Sequence, residues 1–530
     1  MVATLLLSGG INAAAQAQLF PPVIDLGSLS GADGFRMDGV VSGDRAGGSV
    51  SAAGDINGDG IDDLIIGADG ADPNGDRSGS SYVVFGQNTA SAGDFAATLA
   101  LSDLDGSNGF RLDGVAARDY AGYSVSAAGD INGDGLDDLI IGAFGVDLNG
   151  SYSGSSYVVF GRNTASSGNF AATLALSSLD GSNGFRIDGV AMYDFSGRAV
   201  SAAGDINGDG LDDLIIGANR ASPNGNGSGS SYVVFGKSTP FAATLALSSL
   251  DGSNGFRIDG VVANNSSGSS VGAAGDINGD GIGDLFIGAN SDGPNGTGSG
   301  SSYVVFGQST PFAATLALSS LDGSNGFRVD GAAMYDYSGG AAVSAAGDVN
   351  GDGVSDLIIG ASGAGSSSGS SYVVFGQNTA STGNFAATLD LSSLNGSNGF
   401  RLDGVAMNDS SGRAVSAAGD INGDGLDDLI IGASTASPNG AASGSSYVVF
   451  GQSTPFAATL ALSSLDGGNG FRLDGVAEED FSGDSVSAAG DINGDGVDDV
   501  IIGANGAGSG SGSSYVVFGR GQEIFDDGFE

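Results

Sequence analysis

The chain has 530 residues, with 61 acidic against 16 basic side chains and a formal net charge of −45. Such a balance repels nucleic acid and anionic membrane surfaces and suits cation binding. Cysteine and histidine are both absent, which excludes disulfides, zinc sites built on those ligands, His-based triads and Cys nucleophiles.

In chain order, residues 1–17 read as a secretory signal peptide truncated at its basic end. Ala3-Thr4-Leu5-Leu6-Leu7 is the apolar stretch and Ala15-Gln16-Ala17 a small-x-small cleavage pattern. No run approaches the ~18 apolar residues of a membrane helix, so no transmembrane segment is expected. A lone alternating strand follows, Gly34-Phe35-Arg36-Met37-Asp38-Gly39. Residues 23–520 then form one domain in which a single unit repeats seven times. The repeated segment Ala-Ala-Gly-Asp-Ile-Asn-Gly-Asp-Gly begins its loop at Asp55, Asp130, Asp205, Asp276, Asp348, Asp420 and Asp491, at intervals of 71 to 75 residues.

Each unit reads as four short strands separated by Gly, Asn, Asp and Ser. In the second unit these are Ser124–Ala128, Asp138–Ala143, Ser156–Phe160 and Gly184–Gly189. The pattern predicts an all-β fold, a seven-bladed propeller of four-stranded blades. The first strand, made of small residues, fits the crowded axis. The Arg-x-Asp strand fits the outer edge, where Arg and Asp on one face form a solvated ion pair. The last unit has no fourth strand after Ser514–Phe518, so the lone strand at 34–39 is expected to complete the last blade and close the ring. Residues 521–530 stand outside the repeat. Within them Ile524-Phe525-Asp526-Asp527-Gly528-Phe529-Glu530 resembles a C-terminal motif of secreted proteins from some gammaproteobacteria, and reads either as a sorting tag or as a frayed end.

Between the first two strands of every unit lies Asp-x-Asn-x-Asp-Gly-x-x-Asp. Positions one, three, five and nine offer oxygen side chains, and position seven a backbone carbonyl, as in the start of an EF-hand loop. The candidate ligands in the first loop are Asp55, Asn57, Asp59, Ile61 and Asp63, and in the second Asp130, Asn132, Asp134, Leu136 and Asp138. The third has Asp205, Asn207, Asp209, Leu211 and Asp213; the fourth Asp276, Asn278, Asp280, Ile282 and Asp284. The fifth has Asp348, Asn350, Asp352, Val354 and Asp356; the sixth Asp420, Asn422, Asp424, Leu426 and Asp428; the seventh Asp491, Asn493, Asp495, Val497 and Asp499. Hard oxygens in a flexible loop select calcium, up to seven ions, one per blade, with a mainly structural role. A plain Asn-Gly or Asp-Gly turn has no need of three aspartates at these places. Position eight varies (Asp62, Asp137, Gly283, Ser355) and is not expected to ligate.

The run Ser-Val-Ser-Ala-Ala-Gly-Asp-Ile-Asn-Gly-Asp-Gly-x-x-Asp-Leu-Ile-Ile-Gly-Ala, followed by Tyr-Val-Val-Phe-Gly, resembles the FG-GAP repeat of the integrin α-subunit propeller and of many bacterial surface proteins. Phe85-Gly86, Phe160-Gly161 and Phe518-Gly519 are Phe-Gly halves; Gly67-Ala68, Gly142-Ala143 and Gly503-Ala504 are Gly-Ala halves. The usual proline is replaced, for example by Asp69, Phe144 and Asn219. The resemblance implies a seven-bladed propeller with calcium loops and an extracellular adhesion or ligand-binding role. All seven units carry the acidic loop, whereas only some integrin blades do. Nothing after residue 520 matches an integrin leg, so pairing with a β-subunit is not expected.

A non-enzymatic, monomeric protein, secreted or held at the cell surface, is the leading expectation, with an extracellular protein or glycan as partner. A lectin-like carbohydrate binder and a polysaccharide-active lyase or hydrolase are the alternatives. Partner-binding residues are expected on the loops entering each first strand, which differ between units. There Tyr120, Phe195, Tyr337 and Phe481 are expected to pack between adjacent blades rather than meet a ligand.

Overall fold

The computed structural model describes residues 20–340 and 342–521. The expected signal peptide at 1–17, and all but the first residue of the expected tail at 521–530, lie outside the described residues.

The small first strands carry the ring. Ser124–Gly129 and its six counterparts stand innermost, and each touches the next around a closed circle. Their serines fasten neighbours together: Val125 N donates to Ser49 Oγ at 3.1 Å and Val200 N to Ser124 Oγ at 3.1 Å. The circle closes between the last and first units, where Val50 N donates to Ser485 Oγ at 3.0 Å. Larger side chains could not approach so closely at the axis.

Outward from the axis, blade 2 runs Ser124–Gly129, Asp138–Ala143, Ser155–Val159 and Gly184–Asp188, each antiparallel to the last. The second and third strands are buried along their whole length, because both faces of each sheet pack on a neighbouring sheet. The cores therefore lie between blades. One combines Ile65, Val83 and Phe110 of blade 1 with Leu139, Ile141 and Val159 of blade 2. Burying each such side chain contributes roughly 1.5–3 kcal/mol.

Each blade holds five strands, one more than the sequence pattern predicts. The fifth comes from the following repeat. Thr244–Ala246, in the connection of blade 3, pairs in parallel with the Arg-Asp strand of blade 2. A three-residue Thr-Leu-Ala segment carries too little alternation to announce itself, and its partner lies a full repeat away. The Arg-Asp strand is consequently covered and is not the outer edge. Its ion pairs are present, as in Arg111 Nε to Asp113 Oδ1 at 2.7 Å, but the aspartate is largely shielded and also accepts from Ser80 Oγ at 3.2 Å. A phenylalanine fixes each borrowed connection: Phe170 stacks on Phe110 with ring centroids 4.3 Å apart and leans on Phe85.

Ring closure follows the expected route. Gly34–Asp38 pairs antiparallel with Ser513–Val517 as the fourth strand of blade 7. Val23–Asp25 supplies the fifth strand of blade 6, parallel to Gly470–Asp474. Among the described residues no helix is long and apolar enough to cross a membrane.

Candidate functional site

The first strand carries a bulge just before its loop. Register shifts between Ala52 and Gly54, and Gly54 takes φ +64°. The bulge turns the chain into the acidic loop at what is termed here the loop end of the ring. Within the loop Asp55 organises the backbone. Its Oδ1 accepts from Gly58 N at 2.7 Å and Asp59 N at 3.0 Å, and its Oδ2 from Gly60 N at 2.8 Å. Asp59 Oδ1 accepts from Ile61 N at 3.0 Å. Ile61 and its equivalents occupy position seven. Their side chains reach sideways, so that Leu136 lies over Gly58 of the preceding blade.

Asp63 differs from the other acids in being fully buried at the base of the second strand, as are Asp138, Asp213, Asp284, Asp356, Asp428 and Asp499. Asp63 Oδ1 accepts from Gly86 N at 2.9 Å and Oδ2 from Ile56 N at 3.2 Å. Asn57 Nδ2 donates to both of its oxygens, at 3.2 and 3.1 Å. Burial raises the carboxyl of Asp63 well above its usual range, against the Gly86 N–H, and the charges of Asp59 and Asp55 push it further. In the second loop the same causes, with Asp134 and Asp130 as the charges, bring Asp138 to about 8.

The donor set fits a hard divalent cation. Every side-chain donor is oxygen-bearing, three carboxylates act on one another, and no cationic side chain acts on the buried one. The Oδ1 atoms of Asn57, Asn278 and Asn493 are buried without a hydrogen-bond partner, as acceptors awaiting a cation would be. As they stand, the acids at positions one and five are turned onto the loop's own N–H groups. Among the described residues no three acidic side chains close on a single point.

Position eight has a function that the sequence reading passed over. Asp137 Oδ2 accepts from Asp55 N of the preceding blade at 2.9 Å. Asp212, Asp427, Asp498 and Asp62 do the same for Asp130, Asp348, Asp420 and Asp491. Five aspartates in seven copies were the available signal; a residue serving the neighbouring loop looks unused when each loop is read alone.

At the far end, the connections into the first strand and out of the second surround the axis. They enclose a cavity of about 960 Å³ lined by Arg198, Asn219, Tyr123, Arg413 and Asp484, among others. The aromatics of these connections do not share one fate. Phe195 bridges two blades, 5.3 Å from Tyr152 and 5.9 Å from Phe144. Tyr120 instead stacks on Phe144 of its own blade at 5.0 Å. Phe481 lines the axial cavity, and Tyr337 does so while 47% exposed.

The sequence model of the FG-GAP repeat matches seven times, at residues 46–84, 121–159, 196–234, 267–305, 339–374, 411–449 and 482–517. Among curated relatives, integrin alpha-PS2 of Drosophila melanogaster is 29% identical over 46% of this chain and 15% of its own length. Integrin alpha-4 of Xenopus laevis is 30% identical over 35% of this chain and 15% of its own. A phosphatidylinositol-glycan-specific phospholipase D of Dictyostelium discoideum is 28% identical over 34% and 19%. The chain thus spans less than a fifth of the length of these relatives.

Proposed function

The chain belongs to the FG-GAP repeat family, and from that premise we propose that it is an extracellular binding module, secreted or held at the cell surface, whose propeller is stabilised by calcium. The carrying observation is the buried aspartate at position nine. Seven such carboxylates lie out of water beside two further acids each, and a divalent cation is what balances that charge. Asp55, Asn57, Asp59, Asp63 and the Ile61 carbonyl would hold the first ion, and the matching residues the other six. The ion would supply fixed positive charge that ties the first and second strands together, a structural role.

Ligand binding is assigned to the far end, where the connections differ from blade to blade around a common cavity. The aromatic cluster at Tyr120, Phe144 and Phe195 favours a carbohydrate over a flat protein surface as ligand. No catalytic role is proposed. The phospholipase relative is matched over 19% of its length, and its activity is not carried over.

Thermal unfolding and bound-metal analysis in calcium and in chelator test the reading. Calcium should raise the melting temperature by more than 10 °C, as ligand linkage at several sites requires, with several ions bound per chain. An unchanged melting temperature with no bound metal would overturn it.

A further inference from the structure

The far end is not equally furnished around the ring. Six aromatic rings (Tyr120, Tyr123, Phe144, Tyr152, Tyr193 and Phe195) gather at blades 2 and 3. Phe144 corresponds to Asp69, Asn219, Asn290, Ser362, Ser434 and Asn505 in the other repeats, none of them aromatic. Tyr193 is 53% exposed and lines a second cavity, of about 890 Å³, that adjoins the axial one.

Arg198 lines both cavities. The arginines of the fourth strands are paired with aspartates, Arg118 with Asp76 and Arg413 with Asp484. Arg198 has no carboxylate at ion-pair distance among the described residues. Its guanidinium lies over Tyr123 and Phe144, 5.1 and 5.6 Å from the ring centroids. In a chain with a net charge of −45, an arginine kept free of carboxylates and set on aromatic rings is poised for an anion from outside. Asn219 lines the same two cavities. It is 8% exposed, and its Oδ1 has no hydrogen-bond partner. A buried acceptor left unpaired beside a cavity calls for a donor from a ligand.

We propose that the aromatic cluster with Arg198 and Asn219 is a subsite for an acidic saccharide. This inference rests on the far end being the ligand-binding face. One carboxylate-bearing pyranose meets all three demands. Its carboxylate pairs with Arg198, a neighbouring hydroxyl donates to Asn219 Oδ1, and its C–H face lies on an aromatic ring. An acidic peptide satisfies the arginine and the amide but gives the rings no flat apolar partner.

Calorimetric titration of the full chain in calcium tests this, with trigalacturonate, an oligoguluronate and sialyllactose as acidic probes. The methyl ester of trigalacturonate and a triglutamate peptide are the controls. At least one acidic saccharide should bind. Esterification or amidation of its carboxylate, and Arg198→Gln, should each weaken it tenfold or more. Arg401→Gln, which breaks the fourth-strand ion pair with Asp403 and lines neither cavity, should leave binding within twofold. Unchanged melting temperatures show that both variants fold. The proposal is overturned if none of the acidic saccharides binds, if the neutral form binds equally, if triglutamate binds more tightly, or if Arg198→Gln has no effect. Such an outcome with a calcium-dependent melting temperature sinks the saccharide subsite alone. A melting temperature indifferent to calcium sinks the reading beneath it.

Discussion

The two ends of the ring are built by the same hairpins yet obey opposite rules. At the loop end, positions one, three, five and nine read Asp, Asn, Asp and Asp in all seven copies. At the far end, the residue entering the first strand is Gly48, Tyr123, Arg198, Ser269, Gly340, Arg413 or Asp484. The contrast has a physical origin. Loop-end residues are engaged within their own loop, by a buried carboxylate and, in five of the seven copies, by the next blade through the position-eight aspartate. A far-end residue needs only a backbone turn before it, provided by glycines such as Gly122 at φ +85°. One end can hold the scaffold while the other is free to acquire a ligand.

The largest test of that division compares one substitution at each end. Asp138→Ala removes the acceptor of Gly161 N at 2.8 Å and strands the Asn132 amide. In calcium it should cost about 3 kcal/mol or more in denaturant unfolding and release one ion. In chelator the cost should shrink, because the buried carboxyl, raised to about 8, then has no counter-ion to favour its charged form. Arg413→Ala removes a single partly exposed ion pair with Asp484 at 2.6 Å and should cost ~0–1 kcal/mol in either buffer. Equal losses at both ends would erase the distinction.

A middle-sized effect comes from an acid at the far end. Asp119 Oδ2 caps Ala116 N at 2.9 Å, but burial, opposed by that bond and reinforced by Asp147, raises its carboxyl to about 6. The folded value exceeds the unfolded one, so the unfolded chain binds fewer protons between pH ~4 and 6 and stability falls as pH rises through that window. The penalty is complete above it. Asp119→Asn keeps an oxygen for Ala116 N and has a precedent, since blade 4 places Asn265 there. It should stabilise by about 1–2 kcal/mol at pH 7, an order-of-magnitude figure from the linkage relation, and by almost nothing at pH 4. A loss at pH 7 would make this acid part of the scaffold after all.

How far the sequence disclosed the molecule depends on whether a residue serves its own repeat. The blade count, the closing strand at 34–38 and the strand bounds, within one residue as at Ser155–Val159, followed from patterns that act locally. The buried standing of Asp63 did not, because a carboxylate at the start of a strand looks like any turn residue. The fifth strand and the position-eight latch were missed for one shared reason. Thr244–Ala246 and Asp137 both act on the preceding blade, and a repeat read in isolation has no preceding blade. Tyr120 and Phe195 were read as equivalent by position. Only Phe144, which interrupts one blade, gives the rings of that sector a common centre.

The smallest expected effect probes the latch where it is missing. Blade 4 has Gly283 at position eight, so Asp205 N of blade 3 lacks the cap that Asp130 N receives from Asp212 at 3.0 Å. A Cβ built on Gly283 would sit 3.6 Å from Asp205 O and 3.8 Å from Asp205 N, ordinary contact with no clash. Gly283→Asp should therefore seat a carboxylate against that N–H and also remove glycine's extra freedom from the unfolded chain. Together these should add about 0.5–1 kcal/mol. The new charge falls beside an acidic loop, so the gain should appear in calcium and vanish or reverse in chelator at low salt. A gain in both buffers would mean that the latch works without the ions. A gain in neither would mean that the bond from position eight to the neighbouring blade accompanies the loop-end geometry without stabilising it.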